Sequence, residues 1–183
     1  MEFSLSSEQE MLIESARAFA ENELYPHEEE VEQSDSVSPE LAQKIRDRAI
    51  EMGFYAANMP EDLGGGGLDC VSLSLVEREL GRANFALQYL VGRPSNILQA
   101  CVGQQRDHYL FPCIRGEKTD CLAMTEPGAG SDLRSMQCRA DVDGNDYVIN
   151  GTKHFISHAD IADFVILFAA TGEEESARGP RKL

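Results

Sequence analysis

Cys121-Leu122-Ala123-Met124-Thr125-Glu126-Pro127-Gly128-Ala129-Gly130-Ser131-Asp132 is the stretch on which the fold turns. Its first five residues are apolar or hydroxyl-bearing, and the next seven switch abruptly to charge, proline and glycine. That change predicts a short strand running into a tight loop with an open backbone. Pro127 fixes its own φ and holds Glu126 extended, while Gly128 and Gly130 permit positive φ. Amides turned the same way in such a loop form a concave anion site. The Thr125 and Ser131 hydroxyls add donors for an oxygen-rich ligand. For the Gly-x-Gly step taken alone, a Gly-rich turn in which Asp132 or Ser131 bonds its own backbone is sufficient.

Upstream of this stretch the apolar period is helical. Ser6 and Ser7 are candidate N-caps with Gln9 and Glu10 three places on, as a capping box requires. Leu12, Ile13, Ala16, Phe19, Ala20 and Leu24 then make one stripe over residues 6–24. Ser38-Pro39 opens a second helix that Gly53 stops. A third begins at Asp69 and carries Val71, Leu73, Leu75, Val76 and Leu80. Residues 85–101 and 104–115 are expected to be helical too. The run Gly64-Gly65-Gly66-Gly67 lacks the Lys-Ser/Thr ending of a phosphate loop and reads as a flexible inter-helix turn. Downstream the period falls to two over residues 122–125, 136–142, 147–150 and 163–170, with a hairpin turn at Asp143-Gly144-Asn145. Helices first and strands afterwards predict an α+β chain. An all-α helical domain would occupy residues 1–118, and an incomplete antiparallel β domain residues 119–183.

The chain has 183 residues and a formal net charge of −16, which repels phosphate backbones and disfavours nucleic acid as a partner. The acidic clusters, Glu21 to Asp35 and Glu173 to Glu175, read as solvated faces or loops. Its first residues carry neither a basic nor an apolar leader pattern. The longest apolar run, residues 164–170, is too short to span a bilayer. Five cysteines without a Cys-x-x-Cys pair predict reduced thiols, a cytoplasmic setting and no zinc site. His154 and His158 are four apart, but the local pattern is extended and offers no third ligand, so no metal is expected.

The full string Met124 to Asp132 resembles the signature of the acyl-CoA dehydrogenase flavoproteins. Two other stretches fall in the order that family would require. Met52-Gly53-Phe54, with Pro60-Glu61-Asp62-Leu63-Gly64-Gly65 and Gly67-Leu68-Asp69, resembles the connector between its N-terminal helices. Ile149-Asn150-Gly151-Thr152-Lys153-His154-Phe155-Ile156-Ser157 resembles its second flavin-contacting strand. The similarity covers nearly the whole chain.

The resemblance implies an enzyme that uses FAD to introduce an α,β double bond into an acyl-CoA thioester. Leu122, Ala123, Met124 and Thr125 would pass along the isoalloxazine, with the Thr125 hydroxyl on the pyrimidine side. Gly130 and Ser131 would lie at the pyrophosphate, Ser131 also near the entrance for CoA. Phe155 stands where many members have tryptophan, Ile156 beside it, and Ser157 where they have threonine near the flavin N5. Glu126 matches a structural glutamate. Arg93 lies in the region that lines the acyl pocket in the family; it is either a capping or ion-pairing arginine or a contact for a polar acyl end. The family's base is a glutamate in a C-terminal helical part with no counterpart here, so no catalytic residue is assigned. Its reoxidant is an electron-transfer flavoprotein, and a homodimer or homotetramer is expected. The alternative is a non-catalytic flavin- or acyl-CoA-binding relative. The strands are too few to close a barrel, so the chain reads as truncated within its β domain. Alone it is expected to bind FAD weakly or not at all, to be inactive and to self-associate.

Overall fold

The structure, a computed structural model, describes residues 4–176 and 179–182, with side-chain surroundings through residue 172. Residues up to Lys118 form one compact unit and residues from Thr119 a second.

In the first unit the apolar periods set the helices and their caps set the ends. Helix α1 (Ser7–Phe19) starts in a capping box. The Ser6 hydroxyl accepts the Gln9 amide at 3.2 Å, and Gln9 Oε1 accepts the Ser6 amide at 3.1 Å. It runs on as a π-helical turn, Ala20–Leu24. Helix α2 (Glu28–Ser34) keeps only Val31 buried and ends at Asp35, a left-handed residue at φ 52°. Helix α3 (Pro39–Glu51) opens with the Ser38 hydroxyl accepting the Leu41 amide. Helix α4 (Cys70–Leu80) opens with Asp69 accepting the Val71 and Ser72 amides. The buried stripes meet in one core that includes Phe19, Leu24, Ile45, Phe54, Val76 and Leu80. Phe19 and Phe54 pack edge to face with ring centres 5.5 Å apart.

Two expectations for this unit need correction. Residues 85–101 are not one helix. Helix α5 (Phe85–Gln88) gives way to a 3-10 turn at Tyr89–Val91, and a further 3-10 turn follows at Asn96–Ala100. Gly92 breaks the run at φ 80°, where a Cβ would overlap the Tyr55 ring, and Pro94 follows. The glycine run 64–67 is a built turn rather than a loose one. Its four amides donate to the carbonyls of Glu61, Pro60, Ala56 and Met59, and a Cβ on Gly65 would collide with the Met59 backbone. Residues 104–115 are helical as expected, as a π-helical turn (Arg106–Leu110) followed by helix α6 (Phe111–Ile114).

In the second unit the hairpin forms where expected: strands β2 (Arg139–Asp143) and β3 (Asp146–Asn150) pair antiparallel, turning at Gly144. The expectation of an all-antiparallel sheet is corrected by strands β1 (Asp120–Ala123) and β4 (Phe164–Leu167), which pair parallel, Cys121 opposite Val165. About forty residues lie between them, enough chain to return to the same end. The acidic run expected as a loop is strand β5 (Glu173–Ser176). It pairs antiparallel with strand β6 (Gly179–Lys182) in a register that sets acidic positions opposite basic ones. The strand expected to run on through Ser157 stops pairing at Asn150. Beyond it Phe155 and His158 take left-handed φ values of 56° and 62°, which no pleated strand accommodates. Strand β3 is exposed along its length, with Tyr147, Val148 and Ile149 among the exposed side chains.

Among the described residues of the helical unit one carboxylate is buried. Glu79 is 3% exposed and accepts Arg17 Nε at 3.0 Å, Arg82 Nη1 at 3.1 Å and Arg78 Nη2 at 2.9 Å. The Arg17 hydrogen bond outweighs burial and, with Arg82 and Arg78, holds the Glu79 carboxyl at about 2. Because this folded value lies below the ordinary 4.5, the stabilisation is complete above about pH 4.5 and is lost as pH falls toward 2. Glu79→Gln is expected to cost about 2 kcal/mol at neutral pH, the arginines being half-exposed. Urea unfolding across pH 2–5 checks it: the variant loses this acid-side slope, and an unchanged slope would remove Glu79 from the stability account.

Candidate functional site

Strand β1 leads into the loop that carries the candidate binding residues. Its burial alternates, with Cys121 and Ala123 inward and Leu122 exposed. At the end of the strand Glu126 and Ala129 exchange backbone hydrogen bonds of 2.9 and 3.2 Å, closing a tight turn over Pro127-Gly128. Gly128 and Gly130 are not at positive φ, contrary to the sequence reading, so the expected left-handed anion cradle does not form there. What their lack of side chains leaves is room: nothing lies within 4 Å of a Cβ built on either. Asp132 does bond its own backbone, accepting the Arg134 amide at 3.2 Å and the Ser135 hydroxyl at 2.7 Å.

The loop is held from below by Glu126. Its carboxylate accepts the Gln137 amide at 2.6 Å, the Cys138 amide at 2.9 Å and Lys153 Nζ at 2.9 Å. Lys153 Nζ also donates to the Met124 carbonyl at 2.9 Å. The two side chains are 3% and 10% exposed. Burial is the largest single influence on Glu126 and pushes its pKa up. The two amides and Lys153 together outweigh it, so the carboxyl lies below its ordinary value and stays ionised. The sequence reading assigned Glu126 a structural place and this geometry supplies the reason. It gave Lys153 no role. The available signal was a lone basic residue between the apolar positions Ile149 and Phe155, with Glu126 the lone acid between Cys121 and Ser131.

The segment after β3 lies beside the end of β1, because the His154 amide donates to the Thr125 carbonyl at 2.8 Å. Thr125 and the stretch carrying Phe155, Ile156 and Ser157 are thereby brought together. Phe155 is 82% exposed, its ring stacked on His154 at 3.6 Å. Among the described residues the hydroxyls of Thr125, Ser131 and Ser157 have no protein partner. Free hydroxyls, an open glycine loop and an exposed aromatic face are groups that a flat, oxygen-rich ligand can use.

Arg93 belongs to the helical unit and sits in an ion pair, Nη1 to Glu77 Oε1 at 2.9 Å, with its side chain 55% exposed. Both residues line a cleft of about 170 Å³ whose apolar wall includes Phe54, Val76, Leu80 and Phe85. Among the described residues no group of three His, Cys, Asp or Glu side chains gathers as a metal site, and no helix is long and apolar enough to cross a membrane.

Two family descriptions match the chain in order: the acyl-CoA dehydrogenase N-terminal domain over residues 6–117 and the acyl-CoA dehydrogenase middle domain over residues 121–182. The chain belongs to the acyl-CoA dehydrogenase family. Among relatives, it is 35% identical to the 3-(aryl)acrylate reductase of Clostridium sporogenes, over 95% of this chain and 46% of that protein. It is 34% identical to the caffeyl-CoA reductase-Etf complex subunit CarC of Acetobacterium woodii, over 95% and 46%. Among solved structures it is similar to an acyl-CoA dehydrogenase from Bacillus anthracis complexed with FAD. The TM-score is 0.74 and the identity 31%, over 92% of this chain and 29% of that one. The chain spans about half the length of the curated relatives it matches.

Removing the Glu126 carboxylate strands a largely buried ammonium, the buried Cys138 amide and the part-buried Gln137 amide. Glu126→Ala is therefore expected to lower stability by about 3–5 kcal/mol, with Glu126→Gln milder. The folded carboxyl sits below its ordinary pKa, so the wild-type contribution is present at neutral pH and fades on acidification. Denaturant midpoints at neutral and acid pH report both effects. A neutral-pH loss below about 1 kcal/mol would show that the pair is not holding the loop.

Proposed function

We propose that this chain binds FAD and an acyl-CoA as the N-terminal and middle parts of an acyl-CoA oxidoreductase working in the dehydrogenating or the reducing direction. The observation that carries this reading is the pinned loop from Met124 to Asp132, with the Thr125, Ser131 and Ser157 hydroxyls turned free beside it. The FAD-bound relative and the two reductases support the cofactor and the thioester class. When bound, FAD supplies hydride acceptance from an acyl β-carbon, or hydride delivery in reverse.

The chain's own residues bind and orient. The backbone of Leu122, Ala123, Met124 and Thr125 would hold the isoalloxazine, and the Thr125 hydroxyl would donate to its pyrimidine side. Gly130 leaves space for close backbone approach, and Ser131 would serve the pyrophosphate, close to where CoA enters. Phe155 and Ile156 would offer the ring an apolar contact, and the Ser157 hydroxyl would donate near N5. No residue of this chain is assigned to move the α-proton. Arg93, on the rim of an apolar cleft, meets acyl groups with a polar end. The relative that is part of a reductase–Etf complex supports an electron-transfer flavoprotein as redox partner. A homodimer or homotetramer, and a cytoplasmic setting, complete the proposal.

The test is spectroscopic. The full-length protein should be yellow, bleach anaerobically on adding a saturated acyl-CoA, or, once reduced, regain colour with an α,β-unsaturated one. A colourless protein that takes up no flavin would overturn the reading. In the same preparation Arg93→Ala should lower kcat/KM for a carboxyl-ended acyl-CoA by about 1–2 kcal/mol more than for a plain one. That modest size follows from a guanidinium left half-exposed. Equal losses on both would leave Arg93 as Glu77's ion-pair partner only.

A further inference from the structure

We infer that Lys153 is a positioning residue that tunes the cofactor's reduction potential through the Met124–Thr125 peptide. The inference rests on the proposed flavin site and goes beyond it. The geometry has three parts. Lys153 Nζ donates to the Met124 carbonyl at 2.9 Å, so an ammonium, itself paired with the Glu126 carboxylate, sits on the oxygen end of that peptide unit. The nitrogen end of the same unit is the Thr125 N–H, which has no acceptor among the described residues. The Thr125 carbonyl is already taken by the His154 amide at 2.8 Å, so the next peptide is held as well. The orientation of the Thr125 N–H is therefore set on both sides, and none of the described residues accepts from it.

A charged donor on a peptide oxygen polarises the whole amide and makes its N–H a stronger donor. This cooperative effect grows where water is excluded. At 10% exposure the Lys153 side chain is in such a place. Glu126 keeps it there: its carboxylate, fixed by the Gln137 and Cys138 amides, leaves the ammonium one nearby anion and one direction. Reduction adds electron density to a flavin's ring, so a strengthened donor at the ring edge favours the reduced form over the oxidised one. Lys153 then acts through Thr125 without touching the ligand. This separates it from a lysine that merely neutralises a buried glutamate, for which any partner filling the same space would leave the potential alone.

The measurement is the two-electron reduction potential of the flavin-loaded, full-length protein, read by dye equilibration alongside thermal stability. Lys153→Met removes the charge and keeps the stem. It should lower the potential by about 30 mV, which corresponds to a tenfold loss of preference for reduced over oxidised flavin. Lys153→Arg, which keeps a cationic donor, should recover most of that shift even if stability is not fully restored. Should Lys153→Met fail to fold, Lys153→Gln serves. It can still donate to Met124 but carries no charge, and is expected to give an intermediate fall. A wild-type potential in whichever uncharged variant folds, with stability reduced, would overturn the inference and leave the pair purely structural. Wild-type protein that binds no flavin would remove the underlying site itself, a distinguishable result because no potential can then be recorded.

Discussion

The second unit depends on one buried carboxylate. Glu126 stands where the backbone of β1 has stopped pairing and that of β2 has not yet begun, a place where amides would otherwise be left unsatisfied. By taking the Gln137 and Cys138 amides it closes the neck of the loop between them, and by binding Lys153 it ties in the segment after β3. Three stretches of chain far apart in sequence are thus held at one point. A neutral side chain would not do this as well, because only an ionised carboxylate accepts all three donors strongly enough to offset its own desolvation.

The helical unit repeats the device with different parts. Glu79 is buried against guanidinium groups from α1 and α4, and the region just beyond α4 adds a third through Arg82. In a chain carrying 32 acidic and 16 basic residues, most carboxylates repel one another in solvent and contribute little. Among the described residues Glu79 and Glu126 are the two drawn inside, each surrounded by positive charge or oriented amides. That arrangement leaves the site buried and bonded below and open above. The charged anchor is buried under the loop, while Thr125, Ser131, Ser157 and Phe155 remain available to a ligand.

Local signals were legible wherever one or two residues decide the outcome. Ser6, Ser38 and Asp69 start their helices because a side-chain oxygen satisfies the first free amides. Asp143-Gly144-Asn145 turns a hairpin because glycine there takes a positive φ. The misreadings share another cause. Residues 85–101 have the apolar content of a helix, yet Gly92 is required by the Tyr55 ring, a contact nearly forty residues back in the chain. The glycine run 64–67 has the composition of a loose linker, yet the Met59 backbone presses on it.

From its order alone the chain determined an α+β organisation, the helix starts and the strand-to-loop change at Thr125, because these follow from side-chain period and from the few residues that cap or turn a backbone. The family resemblance was readable for the same reason, since its motif is a contiguous string. Only the tertiary structure decided that β1 and β4 run parallel, that the chain leaves strand geometry after Asn150, and that Lys153 reaches back to Met124 and Glu126. Those outcomes turn on distances between residues that no local period records. They also turn on the cost of burying an unpaired charge, which is felt only once the segments have come together.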